Sequence, residues 1–364
     1  MDDQRFSRQL VLPGFGAEAQ QRLADARVLV VGAGGLGSAV IPALAAAGVG
    51  TIGIVDDDRV ELSNLPRQLI HGEADVGSAK VASAAATVAA LNPATTVEQY
   101  EFALDAPTAI ALFADYDLVV DGSDNFPTRY LVNDAAQGAG IPIVWGAVSQ
   151  YGGQAGASNA PHTPDYRDLF PAPPTPGSVL SCEVGGVLPT VCATIGSIMA
   201  TEVVKILTGV GTPLYGRVTA MDALGGGFRE LAYRRSEDSI AIDPANFDYR
   251  SFCGLPSESS STTAAELAAS LETGSPVQLV DVREPWEHEI AALPGALLIP
   301  LGQLEAGGSG GLAADVPIVV YCHHGIRSQR ALELLRDAGF LSVRHLDGGI
   351  DAWALTVDSG MARY

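Results

Sequence analysis

Two segments of the 364-residue sequence combine residue types and spacings that could do chemistry. In the first, Gly32, Gly34 and Gly37 form a GxGxxG pattern. A glycine turn of this kind, placed before a helix, brings backbone N–H groups and the helix N-terminus to a phosphate. In the second, Arg327 follows Cys322 after four residues. Such a loop, followed by a helix, can aim N–H groups at the sulfur and stabilise a thiolate or persulfide.

The glycine pattern leaves the choice of nucleotide open. Asp56 follows the next apolar run, at about the spacing at which a carboxylate binds a ribose hydroxyl. On these features alone an NAD enzyme is the default interpretation. The alternative without a ligand is a glycine turn used only to pack a strand tightly against a helix.

The elements that would position the glycine turn form a βαβ unit. An apolar strand at Val28–Val31 precedes the glycines, a helix at Ser38–Ala47 follows them, and a second strand lies at Thr51–Val55. This order predicts a parallel sheet. The same half of the chain also has predicted helices at about Ala79–Leu91 and Val191–Leu207, strand signals at Leu118–Val120 and Ile141–Trp145, and a surface loop at Ala172–Gly177.

The length of the chain predicts two domains. The stretch Ser257–Thr263 is low in apolar residues and typical of a linker. After it a second α/β pattern begins, with predicted helices at Ala264–Leu271 and Ser328–Ala338 and strands at Val277–Val280 and Ile318–Tyr321. We therefore predict an α/β protein, with a Rossmann-like domain of mainly parallel sheet at 1–250, a linker at 251–262 and a smaller α/β domain at 263–364.

Composition and charge exclude several classes of partner. The net charge of −21 is unfavourable for nucleic acid or anionic lipid, which both need clustered Lys and Arg. The apolar runs, such as Val28–Val31, are shorter than the roughly 20 residues of a bilayer span. The start of the chain has no basic region followed by an apolar run, so we expect a cytoplasmic protein. Its four scattered cysteines are typical of thiols without a disulfide framework.

A longer set of motifs in the first half resembles the MoeB/ThiF family, relatives of the ubiquitin-activating enzymes. The resemblance runs in order over about residues 4–235. It is carried by Arg5-Phe6-Ser7-Arg8-Gln9, by the run Asp56–Gln68, by Gly77-Ser78-Ala79-Lys80, by Asp121-Gly122-Ser123-Asp124-Asn125 and by Arg129.

The resemblance implies an adenylation domain that uses ATP and Mg²⁺. It implies that Gly34 and Gly35 lie against the nucleotide and that Asp56 binds the ribose. It places Asp124 on Mg²⁺, and Arg8 in the site of a neighbouring subunit, so that a homodimer is expected. The remaining residues of the implied nucleotide-binding set are Ser63, Asn64, Arg67, Lys80 and Asn125.

These side chains also have structural interpretations. Lys80 could be a solvated lysine at the start of a helix. Asn64 and Arg67 could cap a turn, and Asp124 could be the N-cap of the next helix. The chemistry favours the binding role. A triphosphate and an attacking carboxylate bring several negative charges to one place, and fixed cations stabilise these charges directly.

The cysteines of the first half have different expected roles. Cys182 follows a proline-rich loop, and the resemblance implies that it attacks or resolves an activated carboxyl end; the alternative is an unreactive loop thiol. Cys192 lies on an apolar helix face and is expected in the core. Many family members bind a structural zinc with two Cys-x-x-Cys pairs, which are missing here. We expect no zinc, a region held by packing or by the dimer instead, and a structural or idle Cys253.

Residues 262–364 resemble the rhodanese fold, so that the whole chain resembles a MoeZ-type arrangement of the two domains. The matching motifs are Leu279–Glu284, His288 before Pro294-Gly295-Ala296, the loop Tyr321–Ser328, and Gly348–Trp353. The resemblance implies that Cys322 carries sulfur as a persulfide. Arg327 adds a cation or orders the loop, and Asp281 and Arg283 brace it. Cysteine-dependent phosphatases use a similar loop, but theirs is one residue longer.

Together the two resemblances imply that the protein activates the C-terminal glycine carboxylate of a small β-grasp sulfur-carrier protein with ATP. The carrier would then be converted to a thiocarboxylate, with a cysteine desulfurase or thiosulfate as the sulfur donor. Such carriers serve molybdopterin, thiamine or cysteine biosynthesis, or tRNA thiolation. Two alternatives stay open: an activating enzyme whose second domain only docks partners, and an NAD-dependent oxidoreductase fused to a rhodanese domain.

Overall fold

The chain divides into two compact units, Met1–Tyr249 and Arg250–Tyr364. The computed structural model describes residues 4–159, 161–174, 185–237, 239–254, 260–274, 276–308, 311–313, 316–340 and 342–364. Each unit is an α/β fold built around its own sheet, as the sequence predicts.

The first unit contains an eight-stranded sheet in the order β3-β2-β1-β4-β5-β6-β7-β8. The first five strands in this order, from β3 to β5, are parallel to their neighbours. From β5 to β8 each strand is antiparallel to the next. The strands are β1 Arg27–Val31, β2 Thr51–Val55, β3 Thr96–Tyr100, β4 Leu118–Asp121, β5 Ile143–Ser149, β6 Gly152–Ser158, β7 Arg217–Asp222 and β8 Gly227–Ala232.

The helices of the first unit are interspersed with these strands along the chain. They are α1 Ser7–Leu10, α2 Gly16–Asp25, α3 Gly37–Ala47, α4 Lys80–Leu91, α5 Ala106–Phe113, α6 Phe126–Ala139, α7 Tyr166–Leu169, α8 Pro189–Thr208 and, at the boundary of the units, α9 Tyr249–Phe252. The predicted helices and strands of this half are all present, with ends shifted by a few residues. The later part of the predicted loop Ala172–Gly177 lies outside the described residues.

Helix α8 is long and apolar enough to cross a bilayer, judged by length and composition alone. In the fold it packs against α3 and against β5 and β6. Val191, Ile195, Met199 and Val203 are fully buried in the hydrophobic core. The helix therefore occupies the place of a core helix in the first unit.

The second unit contains a five-stranded sheet in the order β11-β10-β12-β13-β9, all parallel. Its strands are β9 Ser261–Thr262, β10 Gln278–Asp281, β11 Leu297–Leu298, β12 Ile318–Tyr321 and β13 Val343–Leu346. Its helices are α10 Ala264–Glu272, α11 Pro285–Ile290, α12 Leu301–Glu305, α13 Ile326–Asp337 and α14 Gly349–Thr356.

The segment predicted as a linker, 251–262, contains structure at both ends. Helix α9 continues to Phe252, and Ser261 and Thr262 form the edge strand β9 beside β13. Residues 255–259 lie outside the described part of the chain. A polar composition suggested a linker, but an edge strand is held by backbone hydrogen bonds that do not depend on apolar side chains.

Candidate functional site

A pocket of about 210 Å³ lies at the carboxyl ends of β1, β2 and β4. In an open parallel sheet this is the crevice where the strand order reverses and where ligands bind. Seven of the predicted nucleotide-binding residues line it: Gly34, Gly35, Asp56, Asn64, Arg67, Lys80 and Asp124. Ser63, Asn125 and Arg8 are not among the lining residues.

The glycine turn is held from two sides at Ala33. The Ala33 N–H donates to Asp56 Oδ2 at 2.7 Å, and the Ala33 carbonyl accepts from His71 Nε2 at 3.0 Å. Burial lowers the pKa of His71. Among the residues that the structure describes, a Cβ built on Gly34 would have only Gln68 Nε2 nearby, at 3.8 Å, so this position opens toward the pocket.

Asp56 shapes the pocket through its backbone contacts. Besides the Ala33 N–H, it accepts the N–H of Asp58 on Oδ1 at 2.9 Å. Burial raises the pKa of Asp56, while the charge of Lys80 acts in the opposite direction. Each carboxylate oxygen has further acceptor capacity. Asp56 therefore has the capacity to accept a ribose hydroxyl while it holds the glycine turn.

Lys80 is a buried cation at the first residue of α4. It is 5% exposed, and its Nζ donates to Asp58 Oδ2 at 2.6 Å. The interpretation of Lys80 as a solvated surface lysine is therefore wrong. Asp58, to which the sequence assigned no role, lines the same pocket and holds this ammonium in place.

The turn Leu62–Asn64 carries two of the predicted residues. Asn64 is buried, and its Oδ1 accepts the N–H of Glu61 at 3.3 Å, so it caps the turn and lines the pocket at once. Ser63 donates its hydroxyl to Glu61 Oε2 at 3.1 Å, and its carbonyl accepts from Arg67 Nη1 at 3.1 Å. Ser63 thus contributes to the pocket by fixing Arg67.

The loop after β4 presents Asp124 to the pocket. Asn125, not Asp124, is the N-cap of α6, since its Oδ1 accepts the Thr128 N–H at 3.0 Å. Buried Arg129 ties the loop to β5 by donating to the carbonyls of Ser123 and Gly146, both at 2.6 Å. Asp124 is consequently exposed at the pocket, and its carboxylate is not used as a cap.

The pocket fits a magnesium-bound nucleotide. Its lining brings the cations of Lys80, Arg67, Arg59 and Arg129 to the glycine turn, where backbone N–H groups can meet phosphate. The carboxylate of Asp124 is a ligand type that Mg²⁺ prefers. The residues present therefore suit ATP phosphates held by the cations and a magnesium ion held by Asp124.

The remaining first-unit predictions have mixed outcomes. Arg8 is exposed on α1 and does not line the pocket of its own chain. Cys182 lies outside the described residues. Cys192 is buried, as predicted for a core residue, and it also lines the pocket. A Cβ on Gly35 would lie 2.9 Å from the Cys192 Sγ, so the turn packs directly on this thiol.

The second candidate site is the loop that follows Cys322 at the end of β12. The Gly325 N–H donates to Cys322 Sγ at 3.1 Å, and the Ser328 hydroxyl lies 3.6 Å from the sulfur. Gly325 has a φ of +99°, which favours glycine at the point where the loop turns into α13. The sulfur is thus buried at a helix N-terminus with an N–H group aimed at it.

Arg327 is paired with a residue that the sequence analysis missed. Its Nη1 and Nη2 donate to the two oxygens of Glu287, each at 2.6 Å. This pairing, with burial opposing it, lowers the pKa of Glu287 to about 2. Of the two roles expected for Arg327, the geometry favours ordering the loop.

Asp281 and Arg283 form a fully buried ion pair beside the loop. Arg283 donates to Asp281 through Nε at 2.8 Å and Nη2 at 2.6 Å, and His288 Nδ1 lies 2.8 Å from the same carboxylate. Arg283 also donates to the hydroxyl of Tyr364 at 2.8 Å. The bracing role expected for Asp281 and Arg283 agrees with these contacts, and Tyr364 had no sequence signal.

Comparison with known proteins gives relatives that align with nearly all of this chain. The adenylyltransferase and sulfurtransferase MOCS3 of Sus scrofa is 41% identical, over 99% of this chain and 87% of its own length. The probable adenylyltransferase/sulfurtransferase MoeZ of Mycobacterium tuberculosis is 46% identical, over 99% of this chain and 95% of its own. The crystal structure of Escherichia coli MccB with ATP shares the fold, with a TM-score of 0.58 and 22% identity over 65% of this chain and 74% of that one.

Two family models match the chain, one over each of the two sheets. The ThiF family model matches residues 6–241, and the model of the rhodanese-like domain matches residues 263–356. These matches agree with the two resemblances found in the motifs, and the relatives that cover nearly all of this chain are adenylyltransferases and sulfurtransferases. The chain therefore belongs to the ThiF family and continues into a rhodanese-like domain.

Proposed function

We propose that this protein uses MgATP to adenylate the C-terminal glycine carboxylate of a small β-grasp carrier protein and then converts that end to a thiocarboxylate. The observation that carries the proposal is the gathering of Lys80, Asn64, Arg67 and Asp124 around the glycine turn, in a chain that also holds a thiol at a helix N-terminus. The first feature suits phosphate and the second suits sulfur.

The first reaction takes place in the pocket of the first unit. The carrier carboxylate attacks the α-phosphorus of ATP, and pyrophosphate leaves with the electrons of the broken P–O bond. Lys80 and Arg67 stabilise the charge that builds up on the phosphates. Asp124 would hold a magnesium ion, which would add positive charge at the same place. Arg8 of a neighbouring subunit adds a further cation, so the working form is a homodimer. The product is an acyl-adenylate, in which AMP is a good leaving group.

The second reaction uses Cys322. A sulfur donor, a cysteine desulfurase persulfide or thiosulfate, first converts the Cys322 thiolate to a persulfide. The terminal sulfur then attacks the acyl carbon, AMP leaves, and the carrier is joined to Cys322 through an acyl disulfide. The Gly325 N–H, 3.1 Å from Sγ, stabilises the Cys322 thiolate that accepts the sulfur from the donor.

Cys182 releases the product. Its thiolate attacks Cys322 Sγ, the carrier departs as a thiocarboxylate, and a Cys182–Cys322 disulfide remains. Two equivalents of an external thiol reduce this disulfide and restore both cysteines. A Cys182→Ser variant would therefore accumulate the acyl disulfide with the carrier, visible as a covalent adduct by mass spectrometry without reductant.

The experiment that tests the proposal is mass spectrometry of candidate carriers with a Gly-Gly end, incubated with the full chain, MgATP and thiosulfate. We expect one carrier to gain the mass of one sulfur in place of one oxygen at its C-terminus. The Lys80→Ala variant is the control for the adenylation step. A carrier panel that is adenylated in the presence of wild-type protein but never gains sulfur would contradict the proposed second reaction.

A further inference from the structure

The side chain of Tyr364 contacts the start of the loop that follows Cys322 directly and the end of that loop through Glu287. Its ring stacks on His323, the residue after the cysteine, with the two ring centres 4.2 Å apart. Its hydroxyl donates to Glu287 Oε1 at 2.9 Å, and Glu287 in turn pairs with Arg327 at the end of the loop.

The hydroxyl of Tyr364 also joins two ion pairs. It accepts from Arg283 Nη1 at 2.8 Å while it donates to Glu287. Arg283 is fully buried on Asp281, which lies at the end of β10. A continuous chain of charge-assisted hydrogen bonds thus runs from β10 through Tyr364 to Arg327 at the start of α13, and such bonds are stronger than neutral ones.

The position of the ring suits a role beside the loop better than a role in the core. Tyr364 is 40% exposed, and its other contact is with Trp286, which is 58% exposed. The same row of rings continues from His323 to His324, 3.9 Å away. Contacts among half-exposed rings contribute little burial, so their main effect is to fix the loop that they touch.

We propose that Tyr364 is a positioning residue for sulfur transfer at Cys322, which holds His323 with its ring and Arg327 through Glu287 with its hydroxyl. Fixing both ends keeps the Gly325 N–H on the sulfur through the reaction. This inference rests on the proposed sulfur transfer and adds to it a residue that acts from outside the loop.

A defined reaction isolates this step from the carrier protein. Thiosulfate transfers its outer sulfur to the Cys322 thiolate, the S–S bond of thiosulfate breaks, and sulfite leaves. Cyanide then attacks the terminal sulfur of the persulfide, forming thiocyanate and returning the thiolate. Both steps are balanced with the reagents added, and thiocyanate is the readout.

The test compares Tyr364→Phe and Tyr364→Ala in the full chain. The Phe variant keeps the ring contact and loses both hydrogen bonds of the hydroxyl. We expect kcat for thiocyanate formation to fall about fivefold, which corresponds to about 1 kcal/mol. The Ala variant loses both contacts, and we expect a fall of at least about tenfold. KM for thiosulfate should change by less than about twofold, because the proposal concerns positioning and not binding.

The matched control is Arg330→Ala, which breaks an exposed ion pair with Glu333 on α13, the helix that follows the loop. It should keep wild-type kcat. If Tyr364→Phe keeps wild-type kcat, or if both Tyr364 variants lower only the unfolding temperature, the positioning role is wrong while the proposed function stands. If wild-type protein forms no thiocyanate that depends on Cys322, sulfur loading itself is contradicted, and this inference with it.

Discussion

The cations of both sites are held by carboxylates of the same chain. Lys80 is held by Asp58 at 2.6 Å, and Arg327 is held by both oxygens of Glu287. Holding a long cationic side chain in place reduces the entropy lost when a ligand is bound. The two pairs differ in exposure, since the Asp58 side chain is 66% exposed whereas that of Glu287 is 5% exposed. A ligand can therefore displace Asp58 from Lys80, while Glu287 is a fixed partner.

The Glu287 pair makes a pH-dependent contribution to the second unit. Arg327 lowers the pKa of Glu287 from 4.5 to about 2, so the pair stabilises the fold above pH 4.5 and this stabilisation is lost as the pH falls toward 2. We expect Glu287→Gln to lower the free energy of unfolding by roughly 1–3 kcal/mol at neutral pH. The difference from wild type should shrink below pH 4.5, as measured by denaturant unfolding.

The control for this prediction is Glu333→Gln, since Glu333 pairs with Arg330 while both side chains are half exposed. An exposed pair of this kind contributes under about 0.5 kcal/mol. If Glu287→Gln costs no more than Glu333→Gln at neutral pH, the Glu287–Arg327 pair does not brace the loop.

The sequence predicted the residues that belong to local motifs and missed those that meet through the fold. Asp56, Asn64, Arg67, Lys80 and Asp124 belong to ordered motifs, and the structure brings them to one pocket. Glu287 and Tyr364 are 77 residues apart, and nothing in either local sequence indicates that they meet. Asp58 belongs to the motif Asp56–Gln68, but its pairing with Lys80 depends on how the fold places β2 and α4, and the motif alone does not indicate it.

The glycine turn uses its glycines for two different purposes. A Cβ on Gly37 would lie 2.1 Å from the carbonyl oxygen of Gly32, so this glycine allows the helix to approach the strand. In the described part of the chain, the atom nearest to the Cβ position of Gly34 is Gln68 Nε2 at 3.8 Å, so Gly34 leaves space for a ligand. These are the packing and the ligand roles expected for a turn of this type.

Alanine substitutions separate these two roles. We expect Gly37→Ala to lower the free energy of unfolding by about 1–3 kcal/mol, because backbone atoms must move. Gly34→Ala should leave stability within about 0.5 kcal/mol of wild type and weaken ATP binding by about tenfold or more, because its methyl group enters the phosphate space. Thermal unfolding and calorimetric ATP titration measure the two effects. A Gly34→Ala variant that binds ATP like wild type would place the phosphates elsewhere.

Helices α6, α7 and α9 are joined by a buried carboxylate where the resemblance would place zinc ligands. Asp134 on α6 accepts from Arg167 Nε and Nη2, both at 2.7 Å, and from the Tyr249 hydroxyl at 2.9 Å. The Arg167 guanidinium also stacks on Tyr130 and Phe247, 4.8 and 5.0 Å from the ring centres. The sequence analysis expected this region to be held by packing or by the dimer in place of a metal, and the cluster is packing of that kind.

The cluster predicts that the first unit is stable without a bound zinc ion. Arg167→Ala leaves Asp134 buried without its cation, and we expect a loss of about 3 kcal/mol. Tyr249→Phe removes one hydrogen bond and should cost about 1 kcal/mol. Incubation of the wild-type protein with a chelator should leave the unfolding temperature unchanged. If chelation lowers the unfolding temperature and added zinc restores it, this cluster does not take the place of a zinc site.

The elements themselves were predictable because their signals are local. The βαβ unit around the glycine turn follows from apolar periodicity and glycines, and β2 and β12 have the predicted bounds. The edge strand β9 was missed, since Ser261 and Thr262 pair with β13 through the backbone and carry no apolar pattern. The antiparallel strands β7 and β8 were also not predicted, and β8 is exposed along its length.

The proposed role of Arg8 concerns the assembly and not the single chain. It is exposed on α1 and does not line its own chain's pocket, while the family resemblance implies that it serves a neighbouring subunit. In a symmetric dimer, a mixed dimer of Arg8→Ala and Lys80→Ala subunits would contain one site with both wild-type residues. We therefore expect two inactive variants to regain ATP–pyrophosphate exchange when they are co-expressed.

The expected recovery is about a quarter of wild-type activity, since half of randomly formed dimers are mixed and each has one intact site. Co-expression of Lys80→Ala with Asp124→Ala is the matched control. Both residues line the pocket of their own chain, so a mixed dimer of these two variants contains no intact site, and we expect no recovery. Absence of recovery with Arg8→Ala would place Arg8 outside the partner's site.

The division of the chain into two units predicts two separable reactions. The pocket of the first unit contains the cations that we propose for adenylation, and the second unit contains the thiol that we propose for sulfur transfer. Each unit has its own sheet and core, so a change in one site should leave the fold of the other intact. Variants at Lys80 and Cys322 therefore test the whole account.

The most direct measurement is to follow both reactions, carrier-dependent ATP–pyrophosphate exchange and thiocarboxylate formation, in the same preparations of wild type, Lys80→Ala and Cys322→Ala. We predict that Lys80→Ala loses both reactions by about 100-fold or more, as expected when a fixed group that stabilises transition-state charge is removed. Cys322→Ala should keep wild-type exchange and form no thiocarboxylate. Thiocarboxylate formation by Cys322→Ala at the wild-type rate would contradict sulfur transfer by this cysteine.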